Sequence, residues 1–269
     1  MGMATALVTG GSSGMGKETA KKLLEEGYTV YAAARRVDKM RDLAELGVTV
    51  LAMDITNEEQ VVAAVDRIAA EHGGIDVLVN NAGFGMYGAM EDSEIADARY
   101  QFEVNLFGAA RLTQLVLPYM REQGAGKIVN LSSMGGKIYT PLGSWYHASK
   151  HAIEGWSDSL RLELAAFGID VIIIEPGIIE TEFGDSLLGP MLARSGQSAY
   201  GDLARSVAKA NQGISGSPPQ LIADVIAKAV RAKRPKTRYA AGKYARPMMR
   251  TRSLLGDRIF DRVVMRTVR

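Results

Sequence analysis

Short uninterrupted apolar runs alternate with segments of helical spacing along this 269-residue chain, and most changes of rhythm fall on glycine or a polar turn. Residues 3–9, 29–34, 48–53, 77–80, 127–131 and 170–174 are rich in Val, Ile, Leu and Ala and do not alternate with polar residues. Strands buried on both faces have this pattern, and such strands form parallel sheets covered by helices. Residues 16–26, 39–46, 57–72, 92–119 and 145–167 place apolar side chains three and four apart, the 92–119 segment with at least one break. In 57–72, for example, Val61, Val62, Val65 and Ile68 share a face, and Gly73-Gly74 ends the run. The alternation predicts an α/β fold: one doubly wound parallel sheet with helices on both faces. Neither internal repeats nor low-complexity segments interrupt it.

At this length the pattern reads as a single domain spanning 1–269. Residues 183–219 break the rhythm with glycines, serines and prolines, as a substrate lid with short helices of its own would. Ser217-Pro218-Pro219 then opens a helix running to about 232, and residues 237–240 suit a last strand. Residues 241–269 form a basic, helical C-terminal extension. Residues 231–269 hold 13 Lys/Arg against 2 Asp/Glu, whereas residues 1–230 hold 19 against 28. In the tail, Leu255, Ile259, Val263 and Thr267, broadened by Leu254, Phe260 and Val264, make an apolar stripe beside Arg258, Arg262, Arg266 and Arg269. Packing of that stripe on the acidic body is favoured over contact with an anionic membrane surface. Nucleic acid is not expected, since the tail has few aromatics and no nucleic-acid motif. The chain has no cysteine, so disulfides and thiolate chemistry are excluded. No apolar run reaches the roughly 18 residues of a spanning helix. No basic leader precedes the first strand, so the expected location is the cytoplasm.

The first turn reads Thr9-Gly10-Gly11-Ser12-Ser13-Gly14-Met15-Gly16. Glycines let a backbone approach a pyrophosphate closely, and the following helix N-terminus offers free N–H groups. Gly10, Ser12, Ser13, Gly14, Met15 and Gly16 are therefore candidate dinucleotide contacts in a Rossmann-type fold, although the spacing departs from the general G-x-G-x-x-G fingerprint. Gly10 to Gly14 also satisfies G-x-S-x-G, the nucleophile elbow of α/β-hydrolases. That reading needs a late histidine, and the only histidines are His72, His147 and His151. After the second strand, Arg35-Arg36 stands about 20 residues past the glycines, where an NAD-selective fold places an acid. Guanidinium groups suit a ribose 2′-phosphate, so NADP(H) is expected; nearby Asp38 is the residue that argues the other way.

Further motifs follow in order. Asp54-Ile55 ends the third strand, Asn80-Asn81-Ala82-Gly83 the fourth, and Asn105 lies in Phe102-Glu103-Val104-Asn105. Ser132-Ser133 follows the fifth strand, Tyr146-His147-Ala148-Ser149-Lys150 begins 13 residues after Ser133, and Pro176-Gly177, Ile179 and Thr181 follow the sixth. Taken together these resemble the short-chain dehydrogenase/reductase family across nearly the whole chain. Within it the sequence is similar to the branch of 17β-hydroxysteroid dehydrogenases, retinol dehydrogenases and acyl-dihydroxyacetone-phosphate reductases. The resemblance implies that Tyr146 is the general acid/base and Lys150 its electrostatic partner and a ribose ligand. It implies that Ser133 holds the substrate oxygen and that Asn105 anchors a relay water. It places Asp54, Ile55, Asn81, Ala82 and Gly83 on the adenine side of the cofactor, and Pro176, Gly177, Ile179 and Thr181 toward the nicotinamide. No metal site is expected.

The chemistry is consistent with those roles. Tyr146 and Lys150 are four apart on a helix and share a face. A nearby ammonium should lower a tyrosine that otherwise titrates near about 10. Ser132 is the competitor of Ser133, and His147 and His151 read as structural or cleft residues. Phe84, Met86, Tyr87, Met134, Ile138, Tyr139, Leu142, Trp145, Phe183, Leu187, Leu188 and Met191 suggest an apolar cleft for a small-molecule carbonyl/alcohol pair: a steroid, retinoid, acyl chain or bulky ketone. A β-ketoacyl reductase is the alternative, and a non-catalytic nucleotide-binding protein a more distant one. The long helices, with Ile153, Trp156, Leu160 and Leu164 on the second, imply by the same resemblance a homodimer or homotetramer.

Overall fold

The computed structural model describes residues 3–268, apart from the side chains at 183, 185 and 186. Seven strands form one sheet, in which every pairing is parallel: β1 (Thr5–Thr9), β2 (Thr29–Ala34), β3 (Thr49–Ala52), β4 (Val77–Asn80), β5 (Gly126–Leu131), β6 (Ile169–Pro176) and β7 (Arg238–Ala241). Their order is β3-β2-β1-β4-β5-β6-β7, so the winding reverses between β1 and β4 and leaves a crevice there. The uninterrupted apolar character of the strands has a direct cause. Ala6 and Val8 face one helical layer while Leu7, between them, faces the other.

On the first face lie α1 (Gly14–Glu25) and α9 (Gln220–Arg231), whose Leu23, Ile222 and Ile226 are fully buried against β1, β5 and β6. Between α1 and α3 the chain makes a 3-10 turn (Val37–Met40) and the short α2 (Arg41–Glu45), where one helix over 39–46 was expected. The second face is covered by α3 (Glu58–His72), α5 (Gly108–Gln123) and α6 (Ser144–Leu164). Asn57 caps α3 by accepting the N–H of Gln60, and Gly73 ends it in the left-handed region, φ +81°. The expected break in 92–119 is a π-helical turn, Glu103–Phe107, between α4 (Ile95–Phe102) and α5. Strand β6 runs two residues past its apolar stretch because β7 pairs with it through Glu175↔Ala240 and Pro176↔Ala241. The segment expected to be a lid contains α7 (Glu182–Ser195) and α8 (Gly201–Asn211). Helix α7 is fastened at its C-terminal end, where Arg194 donates to the carbonyl of Tyr87 at 2.6 Å and Ser195 accepts the N–H of Ala89 at 2.9 Å.

The tail departs from expectation. Helix α10 (Ala245–Thr267) is kinked at Gly256, whose φ of +68° and ψ of 177° are not helical. The kink shifts the phase of the residues on either side, so the stripe read as continuous does not pack as a unit. Leu254 is 81% exposed and Leu255 and Ile259 are also exposed, while Phe260, Val264 and Val268 turn inward. Phe260 packs with Ile138, Met134 and Tyr139, on the segment that follows Ser133. Asp261 accepts from the Tyr139 hydroxyl at 2.9 Å. The extension thus braces one wall of the site described below. Arg269, the last of the expected basic row, lies outside the described residues. Among the described residues no helix is long and apolar enough to cross a membrane.

Because one row is buried and the other is not, substitutions in α10 should separate cleanly. Phe260→Ala should cost about 3–5 kcal/mol in urea denaturation, whereas Leu254→Ser should stay within about 0.5 kcal/mol of wild type. Equal losses at the two positions would show that the helix packs in another rotation.

Candidate active site

The turn after β1 is shaped by close backbone approach. Gly10 adopts φ +70° and Gly14 φ +52°, and a Cβ on Gly16 would come within 2.4 Å of the Gly10 carbonyl oxygen. Helix α1 therefore begins at Gly14, two residues before its apolar pattern. Its N-cap, Ser13, makes no side-chain capping bond, and no acid lies in the first turn. These amides are available to an anion, which is the fit a pyrophosphate requires.

Above this turn lies a cavity of ≈ 230 Å³ at the β1/β4 crevice. Of the expected cofactor residues, Gly10, Ser12, Ser13, Gly14, Met15, Gly16, Arg35, Arg36, Asp54, Ile55, Asn81, Ala82, Gly83 and Thr181 line it, and Asp38 does not. Phe84, assigned from sequence to the substrate cleft, and Val104 also line it. Arg36 Nη2 lies 3.3 Å from both Ser12 Oγ and Ser13 Oγ, gathering a cation and two hydroxyls at the cavity edge. Arg35 donates to the Tyr100 hydroxyl at 3.2 Å and stands 4.0 Å from Asp54. Pro176, Gly177, Ile179, Tyr146 and Lys150, also expected to touch the cofactor, are not in this lining. Gly177 donates to the Ala241 carbonyl at 2.8 Å, and a Cβ there would collide with the Lys243 carbonyl, so its glycine serves the β6–β7 junction.

The catalytic candidates converge beside the cavity. Ser133, extended at the end of the β5 connection, accepts the N–H of Gly135 at 3.0 Å and is hydrogen-bonded to the Tyr146 phenol. Tyr146 is buried, with its ring 5.7 Å from that of Tyr87. Lys150, one turn along α6, is buried and donates from Nζ to the Leu131 carbonyl at 2.9 Å. Asn105, on the π-turn, is buried as well. Its amide accepts from Phe84 N–H at 2.9 Å and donates to the Phe84 carbonyl at 2.9 Å and Ser149 Oγ at 3.1 Å. A Cβ on Gly83 would lie 3.1 Å from Asn105 Oδ1 and 3.7 Å from Lys150 Nζ, so the turn after β4 touches both. Ser132 is buried with its hydroxyl 3.5 Å from the Ser133 carbonyl and supports the turn.

The short chain dehydrogenase family matches residues 4–189. The 3-ketodihydrosphingosine reductase of Bacteroides thetaiotaomicron is 38% identical over 240 residues, covering 88% of this chain and 87% of its own. The NADPH-dependent 3-dehydrocapnine reductase of Ornithobacterium rhinotracheale is 34% identical over 277 residues, covering 97% and 96%. Among solved structures, a short-chain dehydrogenase from Streptomyces avermitilis superposes with a TM-score of 0.81 at 33% identity, covering 94% and 93%. The chain belongs to the short-chain dehydrogenase/reductase family. It is an oxidoreductase of carbonyl and alcohol groups, with a nicotinamide cofactor.

Within this short-chain dehydrogenase the electrostatics correct one expectation. Burial pushes the Tyr146 phenol up, an effect reinforced by Tyr87 and only partly offset by the Ser133 hydrogen bond. The phenol therefore lies above the ordinary tyrosine range, not below it as expected. Burial also draws the Lys150 amine down to about 8, against the attraction of Glu154 one turn on. The phenol is thus held in its protonated form.

The apolar cleft residues divide. Met191 and Ile138 are packed inside separate clusters, Leu142 joins the first of these, and Tyr87 and Leu188 pack at its edge. The Phe183 side chain lies outside the described residues. The hydrolase alternative finds no triad: Ser12 faces Arg36, while His72 bonds the Tyr31 hydroxyl and His147 and His151 bond groups of the catalytic segment. Two contributors were missed in the sequence. Thr9 accepts the N–H groups of Asn81 and Ala82, each at 3.0 Å, and its only signal was its place before Gly10. Thr140 donates its N–H to His147 Nε2 at 3.0 Å, which leaves Nδ1 to donate to the Gly135 carbonyl at 2.9 Å. His147 thereby fastens the loop that carries Ser133.

Burial draws that imidazole down to about 4, with the bond to Gly135 opposing. In the unfolded chain it titrates near about 6.5. Between these values only the unfolded state takes up the proton, so stability falls as pH drops through this window, by up to roughly 1.4 kcal/mol per pH unit. The stability-versus-pH curve of His147→Gln should be flatter than wild type from about pH 6.5 to 4. Parallel curves would show that His147 charges freely in the fold.

Proposed function

We propose that this protein is an NADP(H)-dependent reductase of an apolar ketone or aldehyde, reversible with the alcohol, in which Tyr146 donates and recovers the proton. The hydrogen bond between the Ser133 hydroxyl and the buried phenol of Tyr146 carries this reading. The two groups converge on one point, where a carbonyl oxygen could accept from both. A phenol kept protonated by burial is suited to give a proton to that oxygen. Ser133 holds the oxygen in line, and Lys150, whose ammonium form is the major one below about pH 8, stabilises the phenolate left behind. Asn105 holds the Phe84 backbone and Ser149 in register behind them. The cofactor supplies the hydride when bound.

Arg36 with Ser12 and Ser13 supports NADP(H) over NAD(H), since one cation and two hydroxyls suit a phosphate better than a ribose hydroxyl. The name of the NADPH-dependent relative supports the same choice. The substrate class proposed is an apolar one: steroid, retinoid, acyl chain or bulky ketone. The apolar cluster around Tyr87, Leu142 and Leu188 near the Tyr146 ring supports it. Reduction of a β-ketoacyl compound is the alternative, and the 3-keto relative's name favours keeping it. A panel of ketones with NADPH, containing a steroid, a retinal, an acyl ketone and a β-ketoacyl thioester, separates these classes.

Tyr146→Phe should lower reductive kcat by about 10²–10⁴-fold while NADPH titration stays within about twofold of wild type, since the phenol oxygen is the only group removed. Near-normal turnover by this variant would end the mechanism.

A homodimer or homotetramer is also proposed. Of the residues expected at its interface, Ile153 is buried within the fold, Leu160 and Leu164 are buried in the cluster against the sheet, and Trp156 is partly buried against that cluster. The exposed apolar residues of the same two segments include Leu162, at 74% exposure, Phe107 and Tyr100. Light scattering should give a multiple of 29.0 kDa in wild type, and a lower mass for Phe107→Glu with Leu162→Glu. A 29.0 kDa species across micromolar concentrations would contradict the assembly.

A further inference from the structure

A carboxylate already engages Arg36, the cation that the NADP(H) reading assigns to the cofactor's extra phosphate. Glu182, the first residue of α7, accepts from Arg36 Nη2 at 2.8 Å through Oε2 and from Lys39 Nζ at 2.9 Å through Oε1. Arg36 Nη2 is the same nitrogen that lies 3.3 Å from Ser12 Oγ and Ser13 Oγ. Arg36 Nη2 is therefore shared between two hydroxyls and the carboxylate, and Lys39 holds the second carboxylate oxygen. The preceding residue, Thr181, lies directly over the turn, where a Cβ on Gly14 would meet its Cγ2 at 2.8 Å. The start of α7 is thereby drawn across the phosphate end of the cavity.

We infer that Glu182 competes with the 2′-phosphate for Arg36 and Lys39, so that a 2′-phosphorylated dinucleotide must release the start of α7 in order to bind, whereas one with a free 2′-hydroxyl leaves that contact in place. The inference rests on the reading that NADP(H) is the cofactor. Its physical basis is that one guanidinium and one ammonium cannot satisfy a carboxylate and a phosphate fully at once. A phosphomonoester carries more charge than a carboxylate and has three acceptor oxygens. The side chains of Arg36, Lys39 and Glu182 are each about half exposed, so the pair is weak enough to exchange. Hydrogen bonds from Lys39 and Arg36 hold the Glu182 carboxyl down at about 2, so it is ionised at any pH at which the enzyme would work. Removing this charge removes both the competitor and its repulsion of the incoming phosphate. Glu182 is thus a specificity residue of negative sign: it restrains the preference that Arg36 creates.

The test is fluorescence titration of NADPH and NADH into wild type, Glu182→Gln and Arg36→Ala/Glu182→Gln at low ionic strength. The expected result is that Glu182→Gln tightens NADPH by about three- to tenfold, as loss of an exposed competing pair allows, and shifts NADH by less than about 1.5-fold. In the Arg36→Ala background the gain from Glu182→Gln should shrink or vanish. Hydrogen exchange gives a second readout: NADP⁺ added to wild type should speed exchange at the first turn of α7, and NAD⁺ should not. If wild type prefers NADPH but Glu182→Gln leaves its affinity unchanged or weaker, the inference is overturned and the cofactor reading stands. If wild type binds the two nucleotides equally, both fail.

Discussion

The hydroxyl of Thr9 joins the two halves of the sheet at the point where they part. It accepts the N–H groups of Asn81 and Ala82 and donates to the Val79 carbonyl at 3.3 Å. Asn81 returns the contact by donating from Nδ2 to the Thr9 carbonyl at 2.8 Å. Buried backbone groups at a strand end must find partners, and here one side chain from each strand supplies them. The glycine turn after β1 and the Asn81-Ala82-Gly83 turn after β4 therefore behave as one rigid lip. A fold whose winding reversed elsewhere would not bring these turns together, and the cavity for the nucleotide would not exist.

A second lip, on the far side of the crevice, carries the proton chemistry. Ser133, the Met134–Gly136 turn and the start of α6 are tied by His147, whose two ring nitrogens reach Gly135 and Thr140. Phe260 and Asp261 of the C-terminal extension press on the same segment from outside, through Ile138 and Tyr139. Beneath it lies a buried ionic group. Glu154 accepts from Lys137 at 2.9 Å and Arg238 at 3.0 Å, while burial pushes Glu175 up to about 7. Glu154 is also the charge that keeps the buried Lys150 from falling further. One carboxylate thus links the edge strand β7 to the electrostatics of the site.

Reading the sequence in periods placed the strands to within one or two residues, because each strand is buried on both faces and its apolar run is the signal itself. The resemblance to the family, carried by motifs in order, is what assigned Asn105, Ser133, Tyr146 and Lys150 to one site beside the phosphate turn; periodicity placed the strands and helices that present them. Periodicity did less well where a helix changes phase. The π-turn around Asn105 was visible only as an unspecified break, and of the stripe expected in the C-terminal helix only Phe260 and Val264 are buried, while Leu254, Leu255 and Ile259 face outward.

Local rules therefore determined the doubly wound architecture, the position of the glycine turn and the spacing of Tyr146 and Lys150, since each depends on neighbours within a few residues. The tertiary structure alone decided the protonation of Tyr146. Desolvation is set by everything packed around a group, and the chain that buries this phenol arrives from residues 87 and 133. It alone decided the partner of Arg36, because Glu182 stands 146 residues away in sequence and 2.8 Å away in space. It alone decided the rotation of the C-terminal helix as well, since the non-helical φ and ψ at Gly256 break the helix there and leave Phe260 to pack on Ile138 and Tyr139.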